Sequence, residues 1–133
     1  MKRRLLLRGA VLLALSARPS TARERRRIYP GGGARAVERR MRFAVPAGVV
    51  AQVWRDGRRQ ARLARILASP LTDIEPLDDT RARKTGQLLG IAGTSDVVDA
   101  SVVLCARARE DTIVTSDAED LRRLDPMRPL ILV

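Results

Sequence analysis

The stretch that decides the fold is Gly93-Thr94-Ser95-Asp96-Val97-Val98-Asp99-Ala100. Thr94 and Ser95 are good N-cap residues, and they stand ahead of an apolar run, 97–106, that predicts a buried helix. Asp96 and Asp99 are three residues apart, so on a helix both lie on one face of the first turn. The stretch therefore predicts a helix that begins with two neighbouring carboxylates.

A second stretch downstream, Val114-Thr115-Ser116-Asp117-Ala118-Glu119-Asp120, repeats the pattern of small and acidic residues. It continues a β-branched run, Thr112–Thr115, that predicts a short buried strand. Asp117 follows the end of that strand. Ligand sites in open α/β sheets lie at the carboxyl ends of strands, so we expect Asp99 and Asp117 to converge there.

Outward from these two stretches, strand and helix patterns alternate from residue 43 to the end of the chain. We predict strands at 43–45, 71–76, 112–115 and 130–133, and helices at 47–55, 58–67, 81–89, 97–109 and 119–124. This alternation predicts an α/β fold with a parallel sheet flanked by helices. The first strand is the doubtful one, and Leu5-Leu6-Leu7 is its candidate.

Charge divides the 133-residue chain in two. Residues 1–42 carry 13 basic and two acidic residues, which accounts for the whole net charge of +11, whereas residues 43–133 carry 13 of each. We therefore predict one folded domain at 43–133 after a basic, poorly patterned N-terminal segment at 1–42. That segment is either a basic arm or text from a shifted reading frame. A third interpretation is an export signal, since Lys2-Arg3-Arg4 precedes an apolar run, but Arg8 interrupts that run.

The composition excludes several kinds of chemistry. The chain has no histidine and one cysteine, Cys105, which rules out histidine-based acid–base catalysis, a thiolate zinc site and an intrachain disulfide. Any metal ion must therefore be held by oxygen atoms, which favours Mg²⁺ or Mn²⁺. We expect Cys105 to be a packing residue and Trp54 to be a core or interface anchor.

The two acidic stretches resemble the C-terminal half of a PIN domain, and more narrowly the VapC-type toxins of bacterial toxin–antitoxin pairs. The segment Val45-Pro46-Ala47-Gly48-Val49-Val50-Ala51-Gln52-Val53-Trp54 is similar to the strand-to-helix passage of the same family. The resemblance covers about residues 43–133. It implies a PIN-like fold and a metal-dependent ribonuclease, in which clustered acids hold Mg²⁺ or Mn²⁺ for hydrolysis of an RNA phosphodiester.

The resemblance also implies roles for individual residues. Asp99 and Asp117 correspond to the catalytic and metal-binding acids, and Asp96 and Asp120 would be accessory metal ligands. Ser116 and Gln52 would contact the substrate or support the ligands. The implied partners are an RNA substrate, a cognate antitoxin protein and a second copy of the chain. The resemblance implies no association with a membrane and a location in the cytoplasm.

The chain departs from the family pattern at two of its usual four acids. No aspartate precedes Asp56, and Gln52 stands where the family usually has a glutamate. The alternative function is therefore a catalytically dead PIN-like module that binds RNA or protein. At the level of single residues, Asp117 and Asp120 could simply cap a helix, Asp96 and Asp99 could simply complement a helix dipole, and the arginines of 58–65 could be a solvated face.

Overall fold

The computed structural model describes residues 13–15, 43–115 and 118–132. The strands are β1 (Leu13–Leu15), β2 (Phe43–Pro46), β3 (Thr72–Glu75), β4 (Thr112–Thr115) and β5 (Leu130–Leu132). The helices are α1 (Ala47–Val53), α2 (Ala61–Leu67), α3 (Asp79–Ala92), α4 (Val97–Arg109) and α5 (Glu119–Leu124). The described residues therefore form an α/β fold, as the alternating pattern predicts.

The strands form one sheet in the order β3-β2-β1-β4-β5. Two pairs are parallel: β2 with β3, where Phe43 is opposite Thr72, and β4 with β5, where Ile113 is opposite Leu130. The central strand β1 is antiparallel to both of its neighbours, β2 and β4. The prediction of a parallel sheet is therefore wrong at its centre.

The sequence pattern does not determine the direction of β1. A short run of apolar residues has the same pattern in either direction, so periodicity indicates a buried strand without its polarity. The strand that fills the gap between β2 and β4 is Leu13–Leu15. The predicted candidate, Leu5-Leu6-Leu7, lies outside the described residues.

Helix α4 is the centre of the packing. Its residues Val102, Val103 and Ala106 are fully buried, and they belong to the same cluster as Phe43 of β2 and Ile113 of β4. This core is mainly aliphatic, as the scarcity of aromatic residues requires. Cys105 is buried on the same helix, which confirms it as a packing residue.

Helices α2 and α3 start at other residues than predicted, and α4 has another N-cap, for local chemical reasons. The helix predicted from Arg58 begins at Ala61, because Asp56 closes a turn: its carboxylate accepts from the Arg58 backbone N–H at 2.9 Å. Helix α4 is capped by Asp96 rather than by Thr94 or Ser95. Helix α3 begins two residues before the predicted start, because Asp78 caps it and accepts from the Arg81 backbone N–H at 2.8 Å.

Trp54 is not a core residue, because 38% of its surface is exposed.

Among the described helices, none is long and apolar enough by itself to span a membrane; only α3 and α4 taken together, bent by 107°, meet those criteria of length and composition.

Candidate functional site

One edge of the sheet collects the starts of several helices. Strands β2 and β4 are both antiparallel to β1, so β2, β3, β4 and β5 all point the same way and end at the same edge. Helix α4 begins near that edge, because Val98 in its first turn lies against Gly48, just after the end of β2. Helix α1 follows the end of β2 directly. We call this edge the carboxyl edge.

Asp96 and Asp99 are brought together at the start of α4. The Asp96 side chain accepts a hydrogen bond from the Asp99 backbone N–H at 2.9 Å, so one of its oxygens caps the helix. Asp96 is exposed and Asp99 is half-buried. One carboxylate oxygen of Asp96 therefore caps the first turn, and Asp99 adds a second acid to that turn.

The other predicted site residues have different outcomes. Asp120 is exposed in the first turn of α5, where its carboxylate lies 3.7 Å from the Arg123 guanidinium. It does not cap α5, which begins after Ala118 without any side-chain cap. Ser116 and Asp117 lie outside the described residues.

Helix α1 comes very close to α4 near these acids. A Cβ atom placed on Gly48 would stand 3.2 Å from Val98 Cγ2, so the absence of a side chain at Gly48 permits the approach. Gln52 lies one turn beyond Gly48 on the same helix face, and it is exposed. Its amide can accept and donate hydrogen bonds, but it adds no negative charge.

The carboxylates at this edge suit an oxygen-ligated ion in donor type. Asp96 keeps a second oxygen beyond the one that caps α4. Within the described ranges, no group of three or more cysteine, aspartate and glutamate side chains is arranged to hold a metal ion. A full ligand set here would therefore need Asp117 in addition to Asp96 and Asp99.

A cavity of about 370 Å³ opens beside the ends of β2 and β3. Its lining combines apolar residues with charged ones from several elements, among them Glu75, Arg81, Lys84 and Arg107. Cys105 also lines it, and burial raises the pKa of this thiol to about 11, which favours the protonated form at neutral pH. No local sequence motif predicts this cavity, because its lining residues come from distant segments of the chain.

Glu75 is the centre of an ion-pair network between β3, α3 and α4. Arg109 donates to Glu75 through Nε at 3.0 Å and through a second guanidinium nitrogen, and it lies 3.3 Å from Asp73. Arg81 Nη2 lies 2.5 Å from the other oxygen of Glu75. This network holds the edge strand β3 against the end of α4.

A second charged group joins α4 to the end of α5. Arg107 Nε donates to Asp125 at 2.7 Å. Burial favours a higher pKa for Asp125, but the hydrogen bonds from Arg107 and from the Met127 backbone outweigh it and lower that pKa. Nearby, Asp111 is 5% exposed, and its Oδ2 has no hydrogen-bond partner among the described residues.

Burial raises the pKa of Asp111 to about 6, against the opposing influence of Arg109 and Arg128. A carboxyl whose pKa is raised on folding stabilises the fold most below its unfolded pKa and loses that contribution as pH rises through the folded value. We therefore expect Asp111 to make the fold about 1 kcal/mol less stable at pH 7.5 than at pH 5. Urea unfolding at both pH values should show this difference in the wild type but not in Asp111→Asn. An unchanged difference in the variant would contradict the assignment.

Comparisons with known proteins add no assignment. No family model matches the chain, and no curated protein and no solved structure gives a significant match.

Proposed function

We propose that the chain is a PIN-like, VapC-type ribonuclease that depends on Mg²⁺ or Mn²⁺. The observation that supports this most is the pair Asp96 and Asp99, which begins the central helix at the carboxyl edge of an α/β sheet. Ligand sites in such sheets lie at that edge. In the sequence, Asp117 follows β4 by two residues, and β4 ends at the same edge.

In this proposal Asp99 and Asp117 hold the ion, and Asp96 and Asp120 complete or support its ligand set. A bound divalent ion would lower the pKa of a water molecule and neutralise charge on the phosphate. Ser116 and Gln52 would hydrogen-bond the substrate or the ligands. The carboxylates themselves would repel an RNA phosphate, so binding of substrate would depend on the ion or on basic residues elsewhere.

The same resemblance gives the proposed partners and setting. These are an RNA substrate, an antitoxin protein that covers the acidic edge, a second copy of the chain, and the cytoplasm. An antitoxin that offers an arginine to the carboxylates would form charge-assisted hydrogen bonds with them.

The test is cleavage of a panel of single-stranded RNAs by the purified full chain, with and without Mg²⁺. We expect cleavage with Mg²⁺ or Mn²⁺ and none in EDTA. An Asp117→Asn variant prepared in the same way controls for contaminating nucleases and should be inactive. Equal cleavage by this variant, or cleavage that persists in EDTA, would refute the proposal.

A catalytically dead PIN-like module is the second candidate. It is favoured by Gln52, which replaces a charged ligand by a neutral one, and by the absence of any aspartate before Asp56. Calorimetric titration with Mg²⁺ separates the two candidates. An enzyme should bind Mg²⁺, and the Asp117→Asn variant should not bind it. A dead module should bind RNA without any requirement for the ion.

A further inference from the structure

The charge of the folded domain is separated along the chain. Residues 54–68, which we call the basic segment, carry five arginines and one aspartate, a net charge of +4. Residues 69–133 carry eight basic and twelve acidic residues, a net charge of −4. The neutral total of the domain therefore hides one strongly positive region.

The arginines of the basic segment have fewer partners than the other arginines of the domain, and among them Arg55 donates to the Ala51 and Trp54 carbonyls. Arg58, Arg62 and Arg65 are exposed, and within the described part of the chain their side chains form no hydrogen bond or ion pair. Arg59 has only a 3.9 Å contact with Asp56. By contrast, six of the seven arginines between residues 81 and 128 are in ion pairs: Arg81, Arg83, Arg107, Arg109, Arg123 and Arg128.

Helix α2 holds part of this charge on one face. Leu63 is buried and Leu67 packs against the main core, which directs the opposite side of α2 to solvent. Arg62 and Arg65 are three residues apart, so they are neighbours on that exposed side. The positive charges therefore stand on an ordered element and are available to an external anion.

A large aromatic side chain lies beside these arginines. Trp54 ends α1 and is 38% exposed, and its ring atoms Cη2 and Cζ2 lie 3.0 and 3.1 Å from where a Cβ on Gly57 would stand. The indole is thus held next to the turn that carries Arg58. Proteins that bind single-stranded nucleic acids combine a positive surface for the backbone with exposed aromatic rings on which bases stack.

We propose that the basic segment binds the phosphates of single-stranded RNA, with one base stacked on Trp54. The choice of RNA rests on the proposed ribonuclease function, whereas the choice of a polyanion rests on the charge of the segment. Gln52 is two residues before Trp54 on α1, so the segment begins where the helix of the proposed active site ends. The bound RNA strand would extend from the basic segment toward the acidic carboxyl edge of the sheet.

The test measures RNA binding by fluorescence anisotropy, with the full chain and a fluorescein-labelled 12-nucleotide single-stranded RNA. EDTA is present so that no cleavage intervenes. The variant Arg58→Gln/Arg62→Gln/Arg65→Gln is compared with Arg83→Gln/Arg122→Gln/Arg123→Gln, which removes the same charge from elsewhere on the surface. Residues 1–42 contribute equally in both proteins, so the difference isolates the basic segment.

We expect the basic-segment variant to bind at least tenfold more weakly at about 0.1 M salt, and the control within about twofold of wild type. The slope of log affinity against log salt should fall by about 2, since each lost phosphate contact on a single strand contributes about 0.7. Trp54→Leu should weaken binding roughly tenfold without changing that slope. Circular dichroism checks that each variant is folded. If the triple variant is unfolded, the single variant Arg62→Gln replaces it in the binding measurement.

Equal losses in the two triple variants would overturn the proposal, because total charge and not the segment would then control binding. Loss of binding to an acidic peptide such as polyglutamate, with RNA binding unchanged, would overturn it in favour of a protein partner. Arginine-dependent binding without Mg²⁺-dependent cleavage would refute only the ribonuclease. Mg²⁺-dependent cleavage at equal efficiency in both triple variants would refute only the role of the segment.

Discussion

Replacing Asp99 by asparagine is expected to reduce Mg²⁺-dependent RNA cleavage by about a hundredfold or more. Asparagine keeps the volume of the side chain but removes the charge that a divalent ion needs. The backbone N–H of Asp99, which donates to Asp96, is unaffected, so the start of α4 should persist. The measurement is the initial rate of cleavage of one RNA from the active panel over a range of Mg²⁺ concentrations.

Asp79→Asn is the matched control, because Asp79 is also an acid in the first turn of a long helix. Its carboxylate pairs with Arg83 on the exposed side of α3, and its loss should leave the rate unchanged. If Asp99 only complements the helix dipole, Asp99→Asn will cost about 0.3–1 kcal/mol of stability and spare cleavage. That result would leave Asp99 without a catalytic role.

Replacing Arg109 by methionine is expected to destabilise the fold by about 2 kcal/mol, because it removes the cation that Glu75 and Asp73 share and leaves the charge of Glu75 to Arg81. The Glu75 side chain is only 15% exposed, so water compensates poorly for the lost guanidinium. Burial acts to lower the pKa of Arg109, but the hydrogen bond with Glu75 reverses this and raises the pKa, so the arginine stays charged. Urea unfolding at pH 7 measures the change in free energy.

Arg83→Met is the control for this second prediction. The Arg83–Asp79 pair has the same chemistry, but both side chains are more than three-quarters exposed. Its loss should cost less than about 0.5 kcal/mol. A double variant, Arg109→Met/Glu75→Gln, should recover part of the stability, since it removes the partly buried charge that Arg81 alone would otherwise neutralise. Equal costs for the two arginines would show that the network does not stabilise β3 against α4.

The elements from residue 43 onward follow from the sequence because their signals are local. The β-branched run at Thr112–Thr115, the Asp78 cap and the apolar face of α4 each determine a short piece of structure. The errors arise where local signals are ambiguous or absent. The direction of β1 and the start of α2 depend on pairing and on the Asp56 turn, neither of which a hydrophobic pattern contains.

The candidate site could be predicted only in part from the sequence, for a similar reason. The spacing of Asp96 and Asp99 predicts their shared helix turn, and that is where the structure has them. The cavity beside Glu75 and the network through Arg109 join residues more than thirty positions apart, so no sequence motif predicts them. The convergence of Asp99 with Asp117 stays a prediction, because Asp117 lies outside the described residues.

The central position of β1 has a consequence for the order in which the sheet is assembled. The pairing of β1 with β2 is local, since Leu15 is opposite Phe43, whereas the pairing of β1 with β4 joins Leu13 to Val114 across most of the chain. Closing the longer loop costs more chain entropy and raises the contact order of the fold. Strands β1, β2 and β3 thus form one local unit and β4 and β5 another, and the pairing of β1 with β4 joins the two units into one sheet.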